Sequence, residues 1–369
     1  MESGEATRRL LVLEPYFGGS HRAVLDCLLP VLGWDYDLLT LPARKWKWRM
    51  RGAAITFADE VLRLQAEHPG RRWDAVFAST FVNLAEFKGL AGGAVAGVPT
   101  VVYFHENQLV YPNRHTAEWD LQFPLTNVTS ALAADECWFN TRWNLDRFVE
   151  EIGPFMRQFP DHQPKGLGES IAAKSSVVHP PFDPAPFDGV PVTRGERCRI
   201  VWPHRWEYDK DPETFFRVIA GLAAEGLDFE VAVAGQAFAE TREAFEHAAG
   251  GLGDRLVHLG QPDSREDYAR LLASADVAVS TALNEFFGLA MLEAAYAGCY
   301  PVVPDRLAYP ELYPFALRYS SDEALAARLR SLILERPAPG QGRAIAEPFT
   351  IDALAPAYRA ALDSLATRR

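Results

Sequence analysis

The chain has 369 residues, a formal net charge of −12 and only 4 cysteines, none of them in a C-x-x-C pair. The length suits two domains, and the acidic balance excludes a surface that binds nucleic acid everywhere. The longest apolar runs fall well short of the ~20 residues that a membrane helix needs. The scattered cysteines predict a reduced, cytoplasmic protein without a structural zinc site.

Strands and helices alternate along the first half of the chain. Strands are predicted at 10–14, 35–41, 75–78, 100–104 and 136–140, and helices at 22–32, 53–67, 82–90, 121–133 and 144–152. This alternation predicts a parallel sheet with helices on both faces. We expect an N-terminal α/β domain over residues 1–183.

The same pattern restarts after a stretch rich in proline and glycine, and residues 184–197 are predicted to be a linker. Strands are predicted at 199–202, 229–234, 256–259, 277–279 and 300–303, and helices at 212–226, 240–249, 265–273, 288–298 and 352–365. The fold class is therefore α/β, with a second doubly wound domain over residues 198–349.

Two loops of the first half follow strands and carry polar or glycine residues. Gly18 and Gly19 separate the first strand from the first helix, so we expect close backbone approach to a donor there, with His21 facing the acceptor. His105 ends a strand and precedes a polar group that we assign to acceptor binding, namely Glu106, Asn107 and Gln108. A lone histidine at such a place is more often a structural hydrogen-bonding group.

A local basic segment departs from the acidic average. Residues 44–51 carry five cations, no acid and two tryptophans. Cations neutralise phosphates while aromatic faces stack on unpaired bases, so this segment is a candidate acceptor site. Its candidate residues are Arg44, Lys45, Trp46, Lys47, Trp48 and Arg49. The alternative is a solvated loop whose tryptophans pack on the core, and the residues alone favour neither.

The first loop of the second half places Arg205 and Lys210 where together they suit a diphosphate. Asp209 and Asp211 flank Lys210 in a D-x-D arrangement that superficially resembles a metal site. We reject a metal there, because Lys210 already supplies positive charge. Asp211 is instead predicted to cap the helix that begins at Pro212.

The segment 277–303 is the most informative part of the chain. A strand leads through a loop to a helix that begins near Gly288, with Glu285 before the helix and Glu293 on its second turn. Free N–H groups at the helix start suit phosphate oxygens, and the two carboxylates suit hydroxyls of a sugar or ribose. Ordinary helix-dipole chemistry is the alternative. The neighbouring donor-site candidates are Phe286, Phe287 and Leu289.

The order Glu-Phe-Phe-Gly, Leu-Glu-Ala and Ala-Gly-Cys-Tyr-Pro-Val-Val in this segment resembles the donor-binding motif of retaining GT-B glycosyltransferases of family 4. The resemblance implies two Rossmann-like domains facing each other across a cleft, with residues 350–369 returning to the first domain. It implies a metal-independent enzyme with no cofactor besides a nucleotide-sugar co-substrate. Arg205 and Lys210 then hold the diphosphate, and His105 lies near the reacting carbon. Glu285 holds sugar hydroxyls, and Glu293 holds the ribose.

Four longer blocks, within 14–21, 41–49, 103–112 and 202–213, resemble the tRNA-queuosine mannosyltransferase family. That resemblance implies transfer of mannose from GDP-mannose to queuosine in a tRNA anticodon. The region 184–197 is short where animal members carry a long polar insertion. Two alternatives therefore stay open: a family 4 transferase with a lipid or small-metabolite acceptor, and a non-catalytic protein that binds tRNA or nucleotide.

Overall fold

The computed structural model describes residues 7–111, 120–235 and 250–368. The chain divides into two compact units, one of Met1–Pro181 with Leu354–Arg369 and one of Phe182–Ala353. Each unit contains a six-stranded sheet whose neighbouring strands are all parallel. The predicted α/β class is therefore confirmed.

The first sheet has the strand order β2-β1-β3-β4-β5-β6. Its strands are β1 Arg9–Phe17, β2 Asp35–Pro42, β3 Ala75–Ser79, β4 Thr100–Phe104, β5 Glu136–Phe139 and β6 Ser175–Val177. Its α-helices are Gly19–Leu28, Trp46–Glu67, Leu84–Ala91, Gln122–Ala133, Arg142–Met156 and Leu167–Ala172. The strand order reverses between β1 and β3, and the carboxyl ends of strands beside such a reversal are where open α/β sheets bind ligands.

The second sheet has the order β12-β11-β10-β7-β8-β9, with its reversal between β7 and β10. Its strands are β7 Cys198–Trp202, β8 Phe229–Ala234, β9 Leu256–Gly260, β10 Val277–Val279, β11 Tyr300–Pro304 and β12 Arg318–Tyr319. Its α-helices are Pro212–Ala224, Arg265–Ala273, Leu289–Tyr296, Tyr309–Leu312, Asp322–Leu334 and Arg343–Ala346, and the final helix is Ile351–Ala366. The predicted helix 240–249 lies outside the described residues.

Each sheet is buried because helices cover both of its faces. Leu10–Leu13 in β1 and Val101–Phe104 in β4 are all at most 1% exposed, although neighbouring side chains point to opposite faces. The final helix passes from the second unit to the first, where Tyr358 donates to the carbonyl oxygen of His179 at 3.0 Å. Its ring meets that of Trp138 edge to face at 6.0 Å.

Residues 184–197 belong to the second unit. Phe187 is 4% exposed and packs against Tyr296. Arg194 forms an ion pair with the buried Asp276 at 3.1 Å. This stretch has an irregular backbone, as its proline and glycine content indicates, but its side chains pack against the second unit, which that composition does not indicate.

Candidate active site

Two loops at the carboxyl ends of β7 and β10 are tied together in the second unit. The Thr281 hydroxyl accepts from Trp202 Nε1 at 3.0 Å and donates to the carbonyl oxygen of Lys210 at 2.7 Å. The N–H groups of Leu283 and Asn284 both donate to the carbonyl oxygen of Asp209, at 2.8 and 3.1 Å. The polar side chains on these loops are therefore held in fixed positions relative to one another.

Lys210 is the centre of this constellation and is 8% exposed. Its Nζ donates to the carbonyl oxygen of Asn284 at 2.8 Å and to Glu285 Oε2 at 3.2 Å, with Asp209 Oδ2 at 3.4 Å. Burial acts to lower the pKa of this lysine, but the carboxylates of Glu285 and Asp209 offset it and leave the pKa above its ordinary value. Lys210 is therefore a fixed cation.

Arg205 lies at the start of the same loop but is exposed over about half of its side chain (49%). Its Nη2 is 3.2 Å from Glu207 Oε2, and burial raises the pKa of that glutamate. His204 between strand and loop is buried, and burial, followed by the charges of Lys210 and Arg205, lowers its pKa. The site thus presents one buried and one accessible cation beside a neutral imidazole, which sequence reasoning did not single out.

The helix Leu289–Tyr296 begins directly after these loops. Gly288 precedes its first residue with a φ of 95°, a left-handed conformation that side chains other than glycine rarely adopt. Glu285 Oε1 lies 3.4 Å from the Phe287 N–H, and both Phe286 and Phe287 are buried. Of the first-turn N–H groups, that of Met291 donates to the carbonyl oxygen of Gly288 at 3.0 Å. The N–H groups of Leu289 and Ala290 precede the first intrahelical bonds and form a candidate anion-binding end next to Glu285.

Glu293 lies on the buried side of that helix and is 8% exposed. Its Oε1 accepts from Arg265 Nη2 at 2.7 Å, and the Arg265 guanidinium lies over the Tyr268 ring at 5.4 Å. Arg265 is a second partner that the sequence pattern did not reveal, since it comes from the helix after β9. The structure places Glu293 in a charged pair with Arg265, and the Tyr268 side chain also hydrogen-bonds this carboxylate.

The D-x-D arrangement is divided between two structural roles. Asp211 Oδ1 accepts from the Thr214 N–H at 3.2 Å and caps the helix that begins at Pro212, as predicted. Asp209 is 2% exposed, and its carboxylate faces Lys210. Each of the two carboxylates therefore has a contact of its own within the protein.

In the first unit, two glycines shape the turn after β1. A Cβ on Gly18 would lie 2.5 Å from Ala43 Cβ, and Gly19 has a φ of 52°. Both positions therefore require glycine for backbone reasons. The turn leads into the helix Gly19–Leu28, on whose first turn His21 lies.

His105 follows β4 at the same edge of the sheet. Its N–H donates to Thr80 Oγ1 at 3.1 Å and its carbonyl oxygen accepts from Asn140 Nδ2 at 2.7 Å. Asn107 is fully buried, and its side-chain amide donates to Asn144 Oδ1 at 2.5 Å. Its Oδ1 accepts from the N–H groups of Leu109 and Val110. Its contacts hold this loop in place.

The other polar residues of that loop pair with each other or with the protein backbone. Glu106 Oε1 accepts from Gln108 Nε2 at 2.9 Å, and the Gln108 N–H donates to Asn127 Oδ1 at 2.8 Å. Glu106 is half-buried and Gln108 is buried. Of the polar group that follows β4, His105 and Glu106 are thus the side chains that remain partly accessible.

The basic segment is not a loop, since the helix Trp46–Glu67 begins inside it. Trp46 is half-buried and packs against Phe123, with ring centroids 5.0 Å apart. Trp48 is 62% exposed and lies over Gly52, and Arg49 Nε donates to the carbonyl oxygen of Pro42. Trp46 is therefore packed against the protein, whereas the ring of Trp48 faces solvent and is open to a ligand. The cations Arg44, Lys45 and Lys47 are exposed.

One trio of potential metal-ligating side chains occurs within the described ranges, namely Glu14, His21 and His105, whose ligand atoms lie within 4.8 Å of one another. Glu14 and His21 already contact each other at 3.1 Å, so the arrangement also has a purely hydrogen-bonded explanation.

No helix of the described ranges combines the length and hydropathy needed to cross a bilayer.

Comparisons with known proteins agree with this geometry. Residues 9–182 match the family model described as tRNA-queuosine alpha-mannosyltransferase N-terminal, and residues 191–341 match glycosyl transferases group 1. The chain is similar in structure to sucrose-phosphate synthase from Thermosynechococcus elongatus, with a TM-score of 0.73 at 14% identity over 99% of this chain and 100% of that chain. Trehalose-6-phosphate synthase gives 0.70 at 12% identity over 98% and 99%.

Two relatives are similar in sequence. A Drosophila melanogaster protein named tRNA-queuosine alpha-mannosyltransferase is 38% identical over 337 residues, which are 88% of this chain and 86% of that protein. A Mycobacterium tuberculosis GDP-mannose-dependent alpha-(1-6)-phosphatidylinositol dimannoside mannosyltransferase is 31% identical over 172 residues, 45% and 44% of the two chains. The Rossmann-like units and these matches define a glycosyltransferase of the GT-B fold. The chain belongs to the tRNA-queuosine alpha-mannosyltransferase family.

Proposed function

We propose that this enzyme transfers mannose from GDP-mannose to queuosine in the anticodon of a tRNA, with retention at the anomeric carbon and without a metal ion. The observation that carries the acceptor and the sugar is the 38% identity to the Drosophila relative across 88% of the chain. The GDP-mannose dependence named for the mycobacterial relative supports the choice of nucleotide.

The donor side of the proposal rests on the charge arrangement of the second unit. Arg205 and Lys210 stabilise the charge that develops on the leaving diphosphate, and the N–H groups after Gly288 add a positive dipole end. Lys210 keeps its charge because two carboxylates face it. These groups supply the electrostatic stabilisation for which other transferases use a divalent ion.

Glu285 and Glu293 are assigned to hydroxyl groups of the donor. Glu285 bonds Lys210 directly, at 3.2 Å, so a hydroxyl of the sugar beside the diphosphate would lie within reach of its other oxygen. Glu293 lies further along the chain, within the helix Leu289–Tyr296, and accepts from Arg265 at 2.7 Å. We assign it to the ribose diol. His105 is assigned to the sugar near the reacting carbon. Attack from the front face, within one ion-pair-like complex, then accounts for retention.

The acceptor side of the proposal rests on the start of the helix Trp46–Glu67. Exposed cations at Arg44, Lys45 and Lys47 suit the phosphates of an anticodon arm. Trp48 offers an exposed ring for an unstacked base. Gly18 and Gly19, in the turn after β1, are assigned to the donor, and His21 is assigned to the acceptor.

The test is incubation with queuosine-containing tRNA and a panel of nucleotide sugars, followed by nucleoside mass spectrometry. We expect a hexosylated queuosine with GDP-mannose, together with release of GDP in equal amount. The matched control is the same tRNA with guanine in place of queuosine, which should give neither product. Transfer to a lipid or small metabolite in place of tRNA would contradict the acceptor assignment, and tRNA binding without GDP release would contradict turnover.

A further inference from the structure

A buried carboxylate lies behind the histidines of the first unit. Glu14, near the carboxyl end of β1, is 1% exposed. Its Oε1 accepts from the Tyr16 N–H at 2.8 Å, and its Oε2 lies 3.1 Å from His21 Nδ1. The carboxylate thus favours a hydrogen on Nδ1 of His21 and stabilises a positive charge on that ring.

The His21 ring in turn lies against His105. The ring centroids are 4.1 Å apart and the planes are inclined by 32°. Tyr103 bounds His105 on another side at 4.5 Å, in an edge arrangement. Because the backbone of His105 is also bonded on both sides, to Thr80 and Asn140, its ring has little freedom to turn.

One nitrogen of the His105 ring, Nε2, is buried and has no hydrogen-bond partner among the described residues. A buried polar atom without a partner carries a desolvation cost, so such a group in a native site calls for an explanation. A hydroxyl group of a bound substrate would satisfy it.

Two imidazole rings at this distance do not both carry a positive charge, since like charges repel strongly in a buried place. Burial lowers the pKa of His105, and the charge of His21 lowers it further. Among the described residues, ionisable groups near His105 include His21 and Glu14 on one side and Tyr103 on the other, with Glu106 following in sequence and bonded to Gln108. Of the two rings, His21 is the one that a carboxylate contacts directly, so Glu14 stabilises a positive charge there rather than on His105.

We propose that Glu14 and His21 are positioning residues that act through their contact with the His105 ring, holding it neutral and oriented so that Nε2 hydrogen-bonds a substrate hydroxyl. The inference rests on the proposed function and deepens it. It assigns Glu14 a role in the reaction although this carboxylate is too buried to meet substrate.

The experiment compares wild type, Glu14→Gln and the control Glu136→Gln, each as the full chain. Glu136 is a partly buried glutamate at the start of β5, away from His105, that likewise accepts from a neighbouring side chain, Trp138 Nε1. Selective ¹⁵N-histidine NMR over pH 5–9 reports the charge of each ring without substrate, and a His105→Gln spectrum assigns the His105 signals. Kinetics with GDP-mannose and queuosine-containing tRNA are measured over the same range.

Glu14→Gln keeps one of the two acceptor oxygens but loses the charge, so His21 should titrate at lower pH and His105 at higher pH than in wild type. We expect kcat relative to wild type to fall progressively towards pH 5 and to recover at alkaline pH, where both rings are neutral, with both KM values within about twofold of wild type. Glu136→Gln should match wild type in all respects.

Unchanged His105 titration together with parallel pH profiles would overturn the inference, and so would an equal loss of activity at every pH. Stoichiometric zinc in the wild type that Glu14→Gln lacks would show that the trio is a metal site, which also overturns it. A wild type that is inactive on queuosine-containing tRNA refutes the proposed function instead, while the NMR titration still decides on the role of Glu14 and His21.

Discussion

Replacing Lys210 with methionine removes an ammonium group that Glu285 and Asp209 share, while it keeps most of the apolar length of the side chain. If this group stabilises the leaving diphosphate, its loss costs about 2–4 kcal/mol in the transition state, the scale found when one charge-stabilising donor is removed. That corresponds to a fall in kcat of roughly 30- to 1000-fold. Arg205→Met should fall on the same scale.

The two variants should differ in stability. Lys210 is 8% exposed and Nζ lies 3.2 Å from Glu285 Oε2, so its removal leaves a carboxylate without a partner. Breaking a buried pair costs about 3–5 kcal/mol, and the partial exposure of Glu285 places this one lower, at about 2–3 kcal/mol. The Tm of the second unit should then drop by about 4–12 °C. Arg205 is half exposed, so its loss should leave Tm unchanged.

The double variant Lys210→Met/Glu285→Gln separates the two effects. It removes the charges of Lys210 and Glu285 but leaves Asp209 without its cation, so only part of the lost Tm should return while activity stays absent. Differential scanning calorimetry and steady-state release of GDP measure the two quantities on the same preparations. Wild-type turnover in Lys210→Met would refute the role of Lys210, and an unchanged Tm would refute the energetic weight given to its contact with Glu285.

The remaining predictions concern metal, backbone and acceptor. Activity should persist in excess EDTA, and a complete loss that magnesium restores would show that a metal is required. Gly288→Ala should lower Tm and donor affinity, because a side chain at a φ of 95° costs about 1–2 kcal/mol and its Cβ would lie 3.3 Å from Tyr309. The matched control is Gly93→Ala, where the added Cβ would have no contact within 4 Å. Trp48→Ala should weaken tRNA binding by about 1–3 kcal/mol at constant Tm, whereas Trp46→Ala should lower Tm, as binding isotherms and thermal melts would show.

The predictable part of the fold was the alternation of long buried strands with amphipathic helices. Two strands that the sequence does not predict lack such a signal. β6 at Ser175–Val177 is a three-residue polar edge strand, and β12 at Arg318–Tyr319 has only two residues. The helix Trp46–Glu67 was expected to begin near residue 53, because its true start at Lys45 has a left-handed φ of 57° and no capping side chain. The helix Asp322–Leu334, which is absent from the predicted elements, does carry a sequence signal, its capping residue Ser321.

Candidate site residues could be located from the sequence because the carboxyl ends of parallel strands collect at one edge of each sheet. Strand order does not, however, predict which of these side chains are buried. Asn107 is predicted with Glu106 and Gln108 to contact the acceptor, yet it is fully buried and holds the loop. Nothing in the chain order distinguishes Asn107 from Glu106, because the difference arises from a side chain far along the sequence, Asn144, which accepts from the Asn107 amide.

The chain order likewise does not reveal the difference in burial between the two cations of the proposed donor site, and this difference bears on how donor binding would work. Arg205 and Lys210 are equivalent by motif, but Lys210 lies under the loop 280–288 and already has Glu285 as a partner at 3.2 Å. A diphosphate that reaches Lys210 therefore competes with this carboxylate, and weakening their contact leaves Glu285 with an acceptor oxygen for the sugar hydroxyls. Binding of the two parts of the donor is then coupled through one ion pair. A nucleoside diphosphate alone should bind less tightly than the intact nucleotide sugar, and Glu285→Gln should remove that difference.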